Sequence, residues 1–394
     1  QIKIALTSPV ITTDLEGIDK PSLIRTKSMI DHLFADFPAM QQDQSQVEDL
    51  VGEFGGTSSS YHLIAIKTLN YYEEGNYIKA HEFAKMGVAS AEANGFIGVN
   101  APLDCKYMVA RTLFEFSKLD QALIELEELK VEAKRNKSKL FYVLAETFAI
   151  RIITAQSRVS EALDRLSLLN DEIDSISKKN DLAWLIDVTE LYIRFILNDV
   201  ARCQLLIARS PDLPYVRHVK SALTENSGGK SLTRAEVFDL PDRNFKEQIY
   251  RFMYLSEFKA EDGKGPKYWM KKALELGEIT GCRETFIRQG NHHINLIIEI
   301  AKEEHSYYLE ELARDCIKRL KERSEASKAG SEGLTSREID VLKHLASGKS
   351  LEAISKSLHI SKNTMKTHLR NIYRKLGVAG RADAVVKGQK LLLI

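Results

Sequence analysis

Along most of this chain apolar residues return every three or four positions, which predicts helices and an all-α fold. Helical periodicity begins near Ser22, with Leu23, Ile24, Ile30, Leu33 and Phe34, and breaks at Gly55-Gly56. From Ser58 to about Ser210 the pattern repeats itself. Four segments read Gly75-x-Tyr77-x-x-Ala80, Ser117-x-Leu119-x-x-Ala122, Ser157-x-Val159-x-x-Ala162 and Asn198-x-Val200-x-x-Cys203, with their last positions 42, 40 and 41 residues apart. In each, a small or turn-forming residue separates two amphipathic runs, and the small last residue allows close helix–helix approach. This is the spacing of a helix-pair solenoid. Residues 210–244 interrupt the array, because Pro211, Pro214, Gly228, Gly229 and Pro241 predict a loop with one or two short helices. Helices resume at Phe245–Phe258, Pro266–Gly277, Phe286–Ala301 and Tyr307–Arg323. The Ser-, Glu-, Lys- and Gly-rich stretch that follows reads as a flexible linker.

The last sixty-odd residues show a different pattern. From Ser361 to Leu376, Met365, Leu369, Ile372 and Leu376 make an apolar stripe, with Ser361 as N-cap. Asn363, Lys366, Thr367, Arg370 and Arg374 share another face, and no acidic residue interrupts the sixteen positions. Cations, an amide and a hydroxyl on one face are the groups that meet phosphates and base edges, or else a solvated basic surface. Residues 351–358 form a short amphipathic helix after Ser350, and His359-Ile360 connects it tightly to Ser361. Two short helices, a tight turn and a basic second helix make a helix-turn-helix arrangement. Upstream, Thr335-Ser336-Arg337-Glu338 reads as a capping box opening a helix that buries Ile339, Leu342 and Leu345. Downstream, Arg381 to Lys390 reads as a fourth helix after Gly377 and Gly380.

These residues carry a family likeness. Leu334-Thr335-x-Arg337-Glu338-x-x-Val341-Leu342, Ala346-x-Gly348, Ile354, Leu358-x-Ile360-Ser361-x-x-Thr364-x-Lys366-x-His368 and Lys375-Leu376-Gly377-Val378-x-x-Arg381 resemble the LuxR-type DNA-binding domain over about sixty residues. The run from Met365 to Ala379 is closest to the large ATP-dependent, MalT-like branch of that family. Leu351, Ser355 and Met365 stand where the family usually has Asn, Ala and Val. The resemblance implies that Lys366, Thr367 and Arg370 read bases, while Lys362, Thr364, His368 and Lys375 lie nearer the DNA backbone, with Arg374 on the same basic face. It also implies promoter DNA as partner, homo-oligomers on repeated half-sites, and RNA polymerase as a further contact. The first helical unit, with Tyr71, Gly75, Tyr77, Ala80 and Ala84, resembles a tetratricopeptide repeat. Its period is longer than the usual ~34 residues, and the longer repeats of the MalT-like sensor domain are a better likeness. The expected architecture is therefore a tetratricopeptide-like helical-repeat superhelix followed by a four-helix LuxR-type domain. Residues 1–20 are an N-terminal arm, 21–323 the sensor or interaction domain, 324–333 the linker and 334–394 the DNA-binding domain.

Charge sharpens this division. The net charge is only +1, but residues 331–394 carry 12 Lys and Arg against 5 Asp and Glu, so +7, and the remainder carries 44 against 50, so −6. A basic module on an acidic body fits one nucleic-acid-binding unit attached to something that does not bind DNA. Cys105, Cys203, Cys282 and Cys316 are far apart and unpaired in sequence, which predicts buried reduced thiols in a cytoplasmic protein and no metal site. No apolar run reaches the ~20 residues that span a bilayer, and no secretory signal is visible. A chain opening on Gln1 rather than Met reads as a fragment of a longer protein or as a processed one.

Little points to chemistry. Gly228-Gly229-Lys230-Ser231 lacks the upstream glycine of a phosphate loop, since Thr224 stands there, and no cofactor is expected in this sequence. In the resembled family ATP binds an N-terminal module that this sequence does not contain. The neighbours His292 and His293 point to different sides of one helix and make a poor metal pair. With no nucleophile–base arrangement, no catalytic residue and no enzyme activity are expected. The helical body reads instead as a binding surface. In stacked helix pairs the first helices line the concave wall, which places Tyr72, Tyr107, Arg111, Arg151 and Tyr192 along one groove. Aromatic rings with a few polar donors suit a small-molecule inducer, or a regulatory protein or peptide. The alternative to an inducer sensor is a scaffold whose bound partner controls whether the tail reaches DNA. Ordinary packing between repeats would account for the same residues.

Overall fold

The computed structural model describes residues 20–390 except 34–36, 55–56, 96–101, 175–181, 198, 214, 218, 221–222, 224–232, 241, 260–262, 289–290, 331–333, 335, 348, 359, 377 and 379. At some helical positions, among them Lys362, Asn363 and 322–330, only the backbone is described. The arm at residues 1–19 and the Gly228–Ser231 stretch lie outside the described residues.

Every described element is a helix. The first ten are α1 (Lys20–Leu33), α2 (Phe37–Phe54), α3 (Thr57–Glu74), α4 (Tyr77–Ala93), α5 (Leu103–Glu115), α6 (Leu119–Arg135), α7 (Lys139–Ala155), α8 (Val159–Asp174), α9 (Ala183–Ile196) and α10 (Val200–Arg209). The repeated sequence pattern has a backbone cause. Gly75, Ser117 and Ser157 sit at φ of 83°, 61° and 63°, the left-handed conformation that ends a helix. At each corner the next amide donates back six residues' worth of turn: Asn76 N to Tyr71 O at 2.9 Å, Lys118 N to Leu113 O at 2.9 Å and Arg158 N to Ile153 O at 3.1 Å. The landmark residues Ala80, Ala122, Ala162 and Cys203 are all 0% exposed. They lie where the second helix of a pair crosses its neighbours, and a larger side chain there would hold the helices apart. First helices also touch one another across pairs, α3 on α5, α5 on α7 and α7 on α9, so they form a continuous inner wall.

The remaining body helices are α11 (Arg234–Phe238), α12 (Phe245–Leu255), α13 (Pro266–Thr280), α14 (Glu284–Ile287), α15 (Asn291–Glu303) and α16 (Tyr307–Gly330). They do not simply extend the array. α12, α13 and α14 return to pack on α3, α4 and α5. One apolar cluster runs from Met29 through Tyr72, Phe114 and Phe148 to Met253, Phe286 and Cys316. Gly75 shows how close the return is, because a Cβ there would lie 2.8 Å from the Lys246 amide nitrogen.

The loop with one or two short helices expected over residues 210–244 holds the short α11, which opens on a capping box between Thr233 and Glu236, and its Leu213, Val216, Val219 and Leu223 are buried against Leu191, Cys203 and Leu206. Two expectations need adjusting. The single helix expected over Phe286–Ala301 is the short α14 followed by α15. The linker expected from residue 324 is helical through Gly330, since α16 does not stop at Arg323. Ala, Glu and Lys favour helix there, and no proline ends it. No described helix is long and apolar enough to cross a membrane.

Candidate nucleic-acid interface and inner wall

The tail consists of α17 (Ser336–Ala346), α18 (Leu351–Ser357), α19 (Lys362–Leu376) and α20 (Arg381–Lys390). Its core joins Leu334, Val341, Leu342 and Leu345 to Ile354, Met365, Leu369, Ile372, Leu376 and Ala384. The whole apolar stripe of α19 is thus buried, as its spacing predicts. Caps fix where the helices begin. Ser350 Oγ accepts from Ala353 N at 3.3 Å, and Ser361 Oγ accepts from Thr364 N at 3.1 Å. Ile360 N donates to Ser355 O at 3.0 Å, which ties the turn between α18 and α19. Thr335, the expected cap of α17, lies outside the described residues.

Burying that stripe leaves a polar face outward. Thr364, Lys366, Thr367, Arg370 and Arg374 are exposed and His368 is half-buried. Lys366, Arg370 and Arg374 follow one another at four-residue spacing, and Thr367 lies three before Arg370, so they share one side of the helix. The side chain of Lys362 lies outside the described residues.

Lys375 is different. Its Nζ lies 2.7 Å from Glu338 Oε2, and Glu338 is 2% exposed. The family resemblance places Lys375 nearer the DNA backbone, and in the structure its charge also joins α19 to α17. Two further arginines hold the domain and were not singled out as site residues. Arg337 Nη2 donates to Leu358 O, and Arg381 donates from Nη2 and Nε to Leu345 O at 2.7 and 3.3 Å. Arg381 thereby satisfies a carbonyl of the last turn of α17.

With this geometry, the comparison with known proteins is decisive. The family model for bacterial regulatory proteins of the luxR family matches residues 332–387. The tail is a LuxR-family domain. It is similar to the HTH-type transcriptional regulator MalT of Yersinia enterocolitica serotype O:8 / biotype 1B, 51% identical over 59 residues. It is likewise 52% identical over 59 residues to the protein of that name from Klebsiella pneumoniae strain 342. Each match covers 15% of this chain and 6% of the relative's length. The LuxR-type domain accounts for the basic end of the chain, and the helical body lies beyond the reach of that likeness.

In the body, the five groove candidates separate. Tyr72, Tyr107 and Tyr192 are buried, with exposures of 3%, 4% and 8%, while Arg111 and Arg151 are half-buried. The expected open groove is covered, because α12 and α14 lie against the first helices. Lys246 Nζ of α12 is 3.5 Å from Glu73, and the Arg283 amide donates to Glu115 O at 2.9 Å.

Arg111 is built into this junction. Its Nη1 lies 2.9 Å from His32 Nε2, its Nη2 donates to Tyr72 Oη at 3.1 Å, and its Cζ stands 4.4 Å from the Tyr72 ring centre. A guanidinium only donates, so His32 Nε2 is the acceptor and the proton of the neutral ring sits on Nδ1. That Nδ1 is 3.0 Å from Glu73 Oε1, though off the hydrogen-bond axis. Burial lowers the His32 pKa and outweighs the pull of Glu73, which keeps the ring neutral. Tyr72 Oη in turn donates to Glu115 Oε1 at 3.1 Å. For Arg111 this network favours packing between repeats over an open groove position.

Among the described residues Arg151 lies against rings: Tyr192 at 5.0 Å and Phe148 and Tyr215 at 5.9 Å. His293, of the adjacent pair, is buried with Nε2 3.2 Å from Met253 O, whereas His292 is exposed. The four cysteines are buried and form no disulfide.

Proposed function

We propose that this chain is the sensing and DNA-binding portion of a cytoplasmic transcription regulator that acts without a catalytic step of its own. The LuxR-type tail binds promoter DNA, with α19 in the major groove. Lys366, Thr367 and Arg370 read base edges, and Thr364, His368 and Arg374 lie toward phosphates. The observation that carries this reading is the face of α19: its apolar stripe is fully committed to the domain core, and a row of exposed cations and a hydroxyl stands opposite. One small module on DNA binds weakly, so homo-oligomers on repeated half-sites are part of the proposal, with RNA polymerase as a downstream contact.

The body is read as a tetratricopeptide-like superhelix that senses an inducer. The scaffold alternative, a protein or peptide laid along the wall, would need an open groove. The burial of Tyr72 and Tyr107 on helices that the returning segments cover, and of Tyr192 against Tyr215, favours a small ligand instead.

The test is a binding-site selection with the parent chain and Arg370→Ala, with affinities at two salt concentrations. The parent should show a log affinity that falls steeply with log salt. Arg370→Ala should lose ~1–3 kcal/mol at one base position and relax preference there. An unchanged sequence preference in Arg370→Ala would remove α19 from its assigned role.

A further inference from the structure

Resting on the reading of the body as the sensing part, we propose that Arg151 and Arg288 together form a binding site for a small organic oxyanion, a carboxylate or phosphate carried on a compact apolar body. Neither guanidinium makes an ion pair among the described residues, although Glu115 and Glu284 act on Arg288 electrostatically. Arg151 makes no hydrogen bond or ion pair among the described residues, and its Cζ rests 5.0 Å from the centre of the Tyr192 ring. Arg288, from the loop after α14, stands 5.2 Å over Phe114, and among the described residues its guanidinium makes one hydrogen bond, a long one of 3.4 Å from Nε to Glu284 O. The ring pairs join the two sites. Phe114 and Phe148 lie 5.3 Å apart, Tyr192 and Tyr215 6.0 Å, and Arg151 touches one member of the first pair and both of the second. The charges of Arg151 and Arg288 both reach Tyr215, where they offset part of the upward push that burial gives its hydroxyl.

Charge balance on this wall leaves room for an anion. Arg111, Arg151, Lys246 and Arg288 face the carboxylates of Glu73 and Glu115, and the buried Glu284, paired with Arg319, also acts on Arg288. Glu73 is engaged by Lys246 and lies against His32. Glu115 accepts from Tyr72 through Oε1, and its Oε2 is buried with no hydrogen-bond partner. Glu115 acts on Arg288 electrostatically but makes no ion pair with it. A half-buried cation beside rings is held but not neutralised. Each fork matches a carboxylate or phosphate in two-pronged fashion. The rings supply flat apolar walls for the rest of the ligand. The site lies between α5, α7 and α9, which carry Phe114, Phe148 with Arg151, and Tyr192, and the loop after α14, which carries Arg288, so a ligand there would tie the repeat array to the returning helices.

The test measures binding to the full chain by calorimetry and thermal shift at fixed ionic strength. The probes are benzoate, phenyl phosphate and the neutral benzamide. At least one oxyanion should bind and raise the melting temperature, and benzamide should not. The preferred oxyanion tells carboxylate from phosphate. Arg151→Gln and Arg288→Gln should each weaken that binding by about 10-fold or more, a loss of ~1.4 kcal/mol. Arg158→Gln, at an exposed arginine paired with Glu161, should leave it unchanged. If a glutamine variant fails to fold, Arg151→Lys keeps the charge but loses the fork, and it should fold and still bind more weakly than the parent. Equal binding of benzamide, undiminished binding in the Arg151 and Arg288 variants, or no oxyanion binding at millimolar concentration would each overturn the site. A neutral ligand that binds the body regardless of these variants would overturn it while leaving the sensing role standing.

Discussion

Lys375→Ala separates a structural cation from a DNA contact. Removing this side chain leaves Glu338, 2% exposed, without the ammonium 2.7 Å away. Breaking a buried pair from one side costs about 3–5 kcal/mol. Lys375 keeps 23% of its side chain exposed, so solvent screens the pair and about 1.5–3 kcal/mol is the better expectation. A domain of this size is stable by only about 3–9 kcal/mol, so the loss is a large fraction. The readout is amide hydrogen exchange of α17 and α19 in the full chain, because Trp184 and Trp269 both lie in the body and report nothing on the tail. Protection of both helices should fall, and DNA affinity should fall with it. Glu338→Gln combined with Lys375→Met removes both charges and should recover part of the protection. If Lys375→Ala keeps full protection while the salt slope of DNA binding drops by about one unit, the side chain is a phosphate contact and the structural assignment fails.

Two further substitutions probe the body. Arg111→Ala removes donors to His32 and Tyr72 and a cation from the Tyr72 ring, and should cost about 2–4 kcal/mol in chemical denaturation; a cost below about 0.5 kcal/mol would return Arg111 to the role of a free groove residue. Gly75→Ala forces an alanine to φ of 83° with its Cβ 2.8 Å from the Lys246 amide, and should cost more than the ~1–2 kcal/mol of left-handed strain alone. Ser157→Gly, at a corner of similar φ, should stay within ~1 kcal/mol of the parent, and equal effects at the two corners would show that the approach of α12 is not what selects glycine.

The parts of the fold that could be read from sequence are those set by local chemistry. A turn residue, an apolar residue two places on and a small residue three beyond that mark the first three corners. The backbone explains all three features there: left-handed φ, burial of Tyr77, Leu119 and Val159, and complete burial of the residue at the helix crossing; at the fourth, Cys203 is buried but Val200 is exposed and Asn198 lies outside the described residues. In the tail, the stripe from Met365 to Leu376 and the caps Ser350 and Ser361 were equally local. α16 was misjudged from composition. Ser and Gly suggested a linker, but Ala, Glu and Lys at the same positions support a helix that, once nucleated in the body, continues through Gly330.

What escaped the sequence shares one property, a partner far away along the chain. Lys375 meets Glu338 across 37 residues, and Lys246 meets Glu73 across 173. Periodicity says which face of a helix is apolar but not which distant segment will cover its polar neighbours. A solenoid reading therefore left the inner wall open and treated Arg111 and Arg151 as equivalent, one repeat apart. The return of α12 and α14 breaks that equivalence. It brings Lys246 beside Glu73, whose carboxylate also lies against His32, and this completes the network that holds Arg111. It brings Arg288 toward Arg151, and among the described residues neither makes an ion pair, although Glu115 and Glu284 act on Arg288 electrostatically. The same folding event thus turns one wall arginine into a structural element and leaves the next in excess positive charge. Substitutions at the two sites should differ in kind: loss of stability at Arg111, and loss of oxyanion binding with stability retained at Arg151.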